Sequence, residues 1–200
     1  MARFESSFYL VALGANLGNA VAFNAQAIVA AAHRVPGRVA GMSRLYRTPA
    51  YPKGAGPDFV NAVLATYCSL PPAAMLRALH AIEARHGRRR DRRWGARSLD
   101  LDLLGRGAIV RPDRAVLKGW IGLDPERQAQ EAPGELILPH PRLQDRAFVL
   151  VPLAGIAAGW RHPLSGRRVA EMVSRLSGAD RREIRPLGAV GGVVNRKIDR

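Results

Sequence analysis

The chain has 200 residues, of which 48% are hydrophobic, and its formal net charge is +15. This length and apolar content suit one folded domain and exclude wholesale disorder. The charge comes from 31 basic and 16 acidic residues. It indicates an anionic partner such as nucleic acid, an acidic membrane surface or a phosphorylated small molecule.

Three features bear on the compartment in which the chain works. Cys68 is the only cysteine, so no intrachain disulfide can form, which fits a reducing environment. The first apolar run, residues 8–13, is short and follows Glu5, so no secretory signal is expected. No stretch approaches the roughly 18 apolar residues of a membrane-spanning helix. We therefore expect a cytoplasmic protein with no membrane association.

The first third of the chain predicts strands around one helix. Residues 8–13 form an apolar run that ends at Gly14, which is typical of a buried strand. Residues 20–33 carry apolar side chains at helical spacing. Gly14 and Gly18 are spaced Gly-x-x-x-Gly, and no Gly-Lys-Ser/Thr follows, so neither nucleotide-binding fingerprint is met. Residues 38–46 predict the next strand.

The following segment predicts a further strand, a helix and a last strand. Residues 59–68 form a β-rich run in which Asn61 is polar among apolar neighbours, so its amide needs hydrogen-bond partners. A helix is predicted over residues 72–86, before a strand that contains Asp100. The order β-α-β-β-α-β predicts an α+β fold with a ferredoxin-like core, in which an antiparallel-rich sheet has helices on one face.

The rest of the chain predicts additions to this core. Short strands are expected at residues 109–110 and 135–138, and helices over residues 147–160 and 167–176. Residues 111–134 are charged and rich in Pro, Gly and Gln, which predicts an irregular surface insertion. We expect a single domain over residues 1–178 and a basic C-terminal tail over residues 179–200.

Residues 87–104, GRRRDRRWGARSLDLDLL, concentrate the charged chemistry of the chain. Asp100 and Asp102 alternate with leucines, and in a strand residues two apart share one face, about 6.6 Å apart. Mg²⁺ is usually bound by one or two carboxylates together with substrate phosphates, and guanidinium groups bind phosphate through paired hydrogen bonds. The segment therefore predicts a site for a metal-bound polyphosphate. The alternative is an edge strand with a solvated aspartate face beside a basic loop.

Five segments resemble one enzyme family, the 6-hydroxymethyl-7,8-dihydropterin pyrophosphokinases. They are FYLVALGANLGN, SRLYRTPAY, DFVNAV, RRWGARSLDLDLL and LPHPRLQDRAFVLVPL, in the order and spacing of that family. The resemblance covers residues 8–160. It implies the same α+β fold and a reaction of folate biosynthesis, in which a pyrophosphoryl group passes from ATP to the hydroxymethyl group of a dihydropterin and AMP is released.

The resemblance also implies roles for individual residues. Asp100 and Asp102 would be catalytic and would bind two Mg²⁺ ions that bridge the ATP phosphates. The remaining catalytic residues would be arginines that also contact ATP, namely Arg88, Arg90 and Arg97. Further ATP-binding residues would be His80, Glu83, His140 and Arg146. The pterin pocket would be lined by Thr48, Pro49, Tyr51, Phe59, Asn61, Trp94 and Phe148. ATP and the pterin would be the partners of a monomer without a specific nucleic-acid partner.

The chain departs from the family pattern at several places. His80 stands where the family often has Gln. Gly105 and Arg106 replace an apolar and an aromatic residue, which predicts a looser end of the aspartate strand. No family role is apparent for residues 111–134 or for the tail. Two other functions remain open, a basic RNA-binding module and a pterin-binding pseudoenzyme. The aromatic strand pattern of RNA-binding sheets is absent, however, and both aspartates are intact.

Overall fold

The computed structural model describes residues 7–18, 20–50, 54, 56–87 and 98–187. Strands and helices alternate in its first half, and helices dominate the second. The strands are β1 (Ser7–Ala15), β2 (Arg38–Met42), β3 (Tyr46–Thr48), β4 (Phe59–Cys68), β5 (Asp100–Arg106) and β6 (Arg185–Pro186). The helices are α1 (Val21–Ala32), α2 (Pro72–Arg85), α3 (Arg114–Ile121), α4 (Pro125–Gln130), α5 (Ala147–Ala157), α6 (Val169–Arg175) and α7 (Gly178–Glu183). A 3₁₀ turn, Leu143–Asp145, precedes α5.

The described strands form one antiparallel sheet in the order β5-β1-β4-β3-β6, and β2 also pairs with β4. The predicted α+β fold with an antiparallel sheet is therefore confirmed. The strand predicted over residues 38–46 is divided into β2 and β3. Between them the hydroxyl of Ser43 accepts the amide hydrogen of Val63 at 2.9 Å, which takes the place of a backbone ladder bond. Because of this division and the added β6, the ferredoxin-like arrangement remains a prediction.

Helices cover both faces of the sheet, whereas the sequence predicted helices on one face. On one face Leu13 and Leu101 belong to an apolar cluster with Ile28 of α1 and Leu79 of α2. On the other, Leu10 belongs to a cluster built largely from α5. Helix α5 is apolar on every side, which is typical of a buried helix, because it packs against both the sheet and α6. Because α5 has no polar face, the sequence did not indicate which of its sides faces the sheet.

Alternation along the central strands places the polar residues of interest on the α5 face. Residues of β1 on this face are Leu10, Ala12 and Gly14, and the side chains of their pairing partners point the same way. Gly14 pairs with Asn61 of β4 and with Asp100 of β5. The apolar part of this face thus gives way to a polar row that crosses three strands.

Residues 111–134 form an ordered part of the structure, contrary to the irregular insertion expected. They contain α3 and α4, and an aspartate caps each helix: the side chain of Asp113 accepts the amide hydrogens of Ala115 and Val116, and that of Asp124 accepts that of Glu126. Such caps satisfy amides that lack a partner within the helix.

The short strands predicted on either side of this insertion are absent. Residues 109–110 and 135–138, all of them described, contain no strand, and of them only Leu138 forms an isolated bridge, with Arg111.

The predicted basic tail begins with ordered structure. Helix α7 starts at Gly178, and β6 pairs antiparallel with β3. The amide of Leu187 donates to the carbonyl of Leu45 at 2.8 Å, and Ile184 is 8% exposed. Residues up to 187 therefore belong to the folded structure, and residues 188–200 lie outside the described part. No described helix is both long enough and apolar enough to span a bilayer.

The end of β5 is well packed, although a looser end was expected from Gly105 and Arg106. A Cβ atom at Gly105 would lie 3.3 Å from the indole of Trp160, so glycine makes room for this ring. The Trp160 indole N–H donates to the carbonyl of Gly107 at 3.1 Å. Arg106 lies 5.5 Å from the centre of the Tyr9 ring. The two departures from the family pattern are thus matched by contacts within this chain.

Candidate active site

The two aspartates lie on one face of the edge strand β5. Asp100 pairs with Gly14 and Asp102 with Ala12, while Leu101 and Leu103 are 2% and 4% exposed on the opposite face. Both aspartates are half-buried. The alternation read from the sequence therefore describes the strand correctly, and the two carboxylates lie on the same face, on residues whose Cα atoms are about 6.6 Å apart in a regular strand.

Glu83 of α2 fixes the strand between these carboxylates. Its side chain is 1% exposed, and one carboxylate oxygen accepts the amide hydrogen of Leu101 at 2.7 Å. Because β5 is an edge strand, this amide has no neighbouring strand on its outer side. The sequence predicted Glu83 as an ATP contact, and the structure places its carboxylate against the backbone of β5.

Arg146 and His140 lie beside the second aspartate. Arg146 donates from Nη1 to Oδ2 of Asp102 at 3.3 Å, and its guanidinium lies 5.6 Å from the centre of the Phe148 ring. His140 accepts the amide hydrogen of Arg142 at Nδ1, so its proton is on Nε2. Burial lowers the pKa of His140 to about 4, although the Asp102 charge opposes the shift. At neutral pH His140 is therefore an uncharged hydrogen-bond donor.

A second group of predicted residues meets on the central strands. The side-chain amide of Asn61 donates to the Thr48 hydroxyl at 2.7 Å, and both residues are buried. Phe59 and Asn61 flank Gly14, where an added Cβ atom would lie 2.8 Å from Oδ1 of Asn61 and 3.8 Å from Cδ1 of Phe59. Gly14 thus gives room for the side-chain amide of Asn61, in the row that leads from Asn61 to Asp100. Their strands are two sheet spacings apart, about 10 Å.

The position of Gly14 between Asn61 and Asp100 was not predicted from the sequence. The local glycine spacing relates Gly14 only to Gly18, whereas the structure pairs it with these two residues on neighbouring strands. Only the strand register brings them together, so no local pattern marked it.

The remaining predicted residues are placed less centrally. His80 is half-buried on α2. Thr48 and Pro49 line a cavity of about 300 Å³ whose other wall includes Glu183 and Arg185, beyond the predicted domain boundary. Five predicted residues lie outside the described part of the chain: Tyr51, Arg88, Arg90, Trp94 and Arg97.

A larger cavity of about 440 Å³ opens at Asp102. Its lining includes the polar residues Asp102, His140 and Arg146 and the apolar residues Leu103 and Trp120. This volume is within the range of small-molecule sites. Residues of the insertion form part of its wall, which the sequence did not predict.

The carboxylate pair suits a magnesium ion bound together with its ligand. Among the residues described, no group of three or more His, Cys, Asp and Glu side chains could bind a metal alone. Two carboxylates on one face leave coordination positions for phosphate oxygens, which is the usual way in which proteins bind Mg²⁺. The donor set therefore fits Mg²⁺, with the nucleotide supplying the remaining ligands.

Two carboxylates that suit a hard cation, with a guanidinium and a neutral imidazole beside one of them, are typical of an enzyme that transfers phosphoryl groups. The sequence profile of the 7,8-dihydro-6-hydroxymethylpterin-pyrophosphokinase (HPPK) family matches residues 10–158. The chain belongs to this family. The resemblance stated from the sequence is thereby confirmed.

Similar proteins agree with this placement. The 2-amino-4-hydroxy-6-hydroxymethyldihydropteridine pyrophosphokinase of Pseudomonas aeruginosa is 39% identical over 82% of this chain and 88% of its own length. The enzyme of the same name from Synechocystis is 36% identical over 84% of this chain and 75% of its own length. The solved structure of Plasmodium falciparum HPPK-DHPS has a TM-score of 0.60 at 12% identity. It matches 88% of this chain, which spans 44% of that longer chain, and the likeness concerns the fold.

Proposed function

We propose that the residues described above carry out the reaction of this family. That reaction transfers pyrophosphate from ATP to 6-hydroxymethyl-7,8-dihydropterin in folate biosynthesis, and this chain, as a family member, catalyses it. The observation that carries the residue assignment is the row Asp100, Gly14, Asn61 across three paired strands. It sets a carboxylate and an amide on either side of Gly14, which suits a reaction between a metal-bound phosphate and a heterocycle.

The aspartates would hold the metal-bound triphosphate. Asp100 and Asp102 would bind two Mg²⁺ ions together with oxygens of ATP, and the bound metal would neutralise charge on the phosphates. Arg146, which already donates to Asp102, is close enough to donate to a phosphate oxygen beside that carboxylate. His140 would add a neutral donor from Nε2. The roles of Arg88, Arg90 and Arg97 in positioning the phosphates rest on the family resemblance.

Glu83 and His80 remain proposed members of the ATP site. Burial of the Glu83 carboxylate against Leu101 supports a positioning role for it, because the contact holds the strand segment between the two metal-binding aspartates. The assignment of His80 rests on the family resemblance.

The pterin would lie over Gly14. A flat heterocycle rich in hydrogen-bonding groups needs aromatic or apolar faces and amide groups at its edge. Asn61, oriented by the Thr48 hydroxyl, would bind that edge, and Phe59 would contact the ring. Further contacts are proposed on the resemblance from Pro49, Tyr51, Trp94 and Phe148.

Product analysis tests the proposal. The purified chain is incubated with ATP, Mg²⁺ and 6-hydroxymethyl-7,8-dihydropterin, and nucleotides and pterins are separated by chromatography. We expect one AMP for each pterin diphosphate, and no AMP when the pterin is omitted or Mg²⁺ is chelated. Formation of ADP, or AMP without pterin diphosphate, would contradict the assignment.

The state of the working enzyme is a separate proposal. We expect a monomer with no specific nucleic-acid partner, as the sequence predicts. Sedimentation at working concentrations tests the first point. RNA binding that persists at 200 mM salt would refute the second, because binding through phosphate contacts alone weakens about 10³- to 10⁵-fold between 50 and 200 mM salt.

A further inference from the structure

The larger cavity bends around the outer edge of β5. Asp102 lines it from the α5 face of the sheet, whereas Leu103 and Leu76 of α2 line it from the opposite side. Gly14 lies in the other direction, toward the sheet centre. A nucleotide with its phosphates at Asp102 therefore has room for its base beyond the β5 edge, beside Leu76 and Leu103.

Trp120 is the aromatic residue in the lining of this cavity. It is half-buried in the last turn of α3, within the insertion of residues 111–134. The lining also contains aliphatic residues, among them Leu76, Leu103, Leu136 and Ile137, and charged residues, among them Glu131, Glu135 and Arg142. An indole in one cavity with these aliphatic side chains is suited to a flat base, since aromatic rings stack on bases with little dependence on base identity.

Hydrogen bonds and packing hold the insertion against the folded core, so Trp120 has a defined position. At its start, Arg111 and Leu138 exchange backbone hydrogen bonds of 2.8 and 3.1 Å. The guanidinium of Arg114 donates to the carbonyls of Pro163 and Leu164, both at 3.2 Å. Leu117 of α3 is completely buried. These contacts hold α3 against the segment that leads to His140 and against the turn before α6.

We propose that Trp120, supplied by the insertion, is a binding residue for the nucleobase of the nucleoside triphosphate. The inference rests on the proposed function, which puts the triphosphate at Asp102, and it adds a role for a segment to which the family resemblance assigned none. Trp120 contributes affinity for the base and does not contribute to binding of the phosphates. Since stacking is tolerant of base identity, it favours nucleoside triphosphates with any base over a base-free polyphosphate.

Calorimetric titration tests this division between base and phosphate. Mg²⁺–ATP is compared with Mg²⁺–tripolyphosphate, which has no base. In Trp120→Ala the Kd for ATP should rise about 5- to 150-fold, the effect of losing one stacked base. The Kd for tripolyphosphate should stay within about twofold, and Trp120→Phe should retain most of the ATP affinity. Gly119→Ala is the matched control, because an added Cβ atom there meets nothing within 4 Å.

Tryptophan fluorescence provides a second test that does not require Trp120→Ala to fold. ATP should quench the emission of the wild-type chain more than that of Trp120→Phe, and tripolyphosphate should give no such difference. Equal loss of affinity for both ligands, unchanged ATP affinity in a folded Trp120→Ala, or equal quenching in both chains would overturn the inference.

The product assay keeps the two proposals separate. Trp120-dependent ATP binding without pterin diphosphate would refute the proposed function alone. Normal turnover with no effect of Trp120 on ATP affinity would refute this inference alone.

Discussion

The guanidinium of Arg146 donates to the carboxylate of Asp102 across 3.3 Å, with 24% and 36% of the two side chains exposed. A half-buried ion pair at the protein surface contributes little net stability, about 1 kcal/mol. Arg146 can therefore turn from the carboxylate to a phosphate at small cost. The pair joins the edge strand to the residue that precedes α5, and thus connects the two sides of the proposed phosphate site.

Removing one charge from the aspartate pair should abolish most turnover. Asp100→Asn and Asp102→Asn keep the shape of the side chain, but each removes a charge that the metal ion requires. We expect AMP release to fall by orders of magnitude while the melting temperature stays the same or rises, because repulsion between the carboxylates is relieved. Normal turnover in Asp100→Asn would refute its assignment as a metal ligand.

Filling the space at Gly14 should weaken pterin binding selectively. In Gly14→Ala the new Cβ atom would lie 2.8 Å from Oδ1 of Asn61, so the amide must move. We expect a loss of about 1–3 kcal/mol in pterin affinity, similar to that of Asn61→Ala, because a hydrogen bond to the pterin edge is lost. Titration of the pterin with a non-hydrolysable ATP analogue present measures it.

A control variant and a titration of the ATP analogue check this interpretation. Gly56→Ala is the control, since its Cβ atom would meet nothing within 4 Å. An equal loss of affinity for the ATP analogue would contradict the placement of the pterin over Gly14.

Loss of the contact between Glu83 and β5 should lower the free energy of unfolding. Glu83→Ala leaves the buried amide of Leu101 without its acceptor, which should lower the free energy of unfolding by about 1–3 kcal/mol. Glu83→Gln keeps an oxygen at that position and should recover most of this loss. Urea unfolding compares the two variants. Equal destabilisation by Ala and Gln would show that the hydrogen bond to Leu101 is unimportant.

His162 should make the fold sensitive to acid. It is 2% exposed, its Nδ1 accepts the amide hydrogens of Leu164 and Ser165, and burial lowers its pKa to about 4 from the usual 6.5. Because the unfolded chain binds this proton more readily, the stabilising effect is complete above pH 6.5 and is lost as the pH falls toward 4. The loss is of the order of 3 kcal/mol.

A variant separates this effect from that of other groups. His162→Asn keeps an acceptor for the turn but does not titrate in this range, so its unfolding free energy should change less between pH 6.5 and 4. An identical pH profile in both chains would refute the role of His162.

Strands and helices with local patterns were predicted well, and their packing was not. The run at residues 59–68 coincides with β4, and helical spacing located α1 and α2 to within two residues. The break between β2 and β3 depends on the contact of Ser43 with Val63, twenty residues away. The helices of the insertion could have been recognised from the capping aspartates Asp113 and Asp124.

The same difference between local pattern and packing applies to the residues of the proposed site. The alternation of side chains along a strand was sufficient to predict that Asp100 and Asp102 lie on one face. Arg146 and His140 were found by resemblance, because their approach to β5 depends on how α5 packs. The roles proposed for Gly14 and Trp120 had no local signal, since each depends on residues distant in the sequence.

The pairing of β6, the last described strand, affects whether copies of the chain associate with one another. β6 pairs with the outer side of β3, next to Thr48. A chain cut after Gly178 would leave that side of β3 open, and an open strand edge is a template on which another chain can pair. We expect such a truncated chain to self-associate, detectable as a rise in light scattering with concentration, while the full chain scatters as a single species. The C-terminal segment would then serve as a guard against aggregation during synthesis and storage.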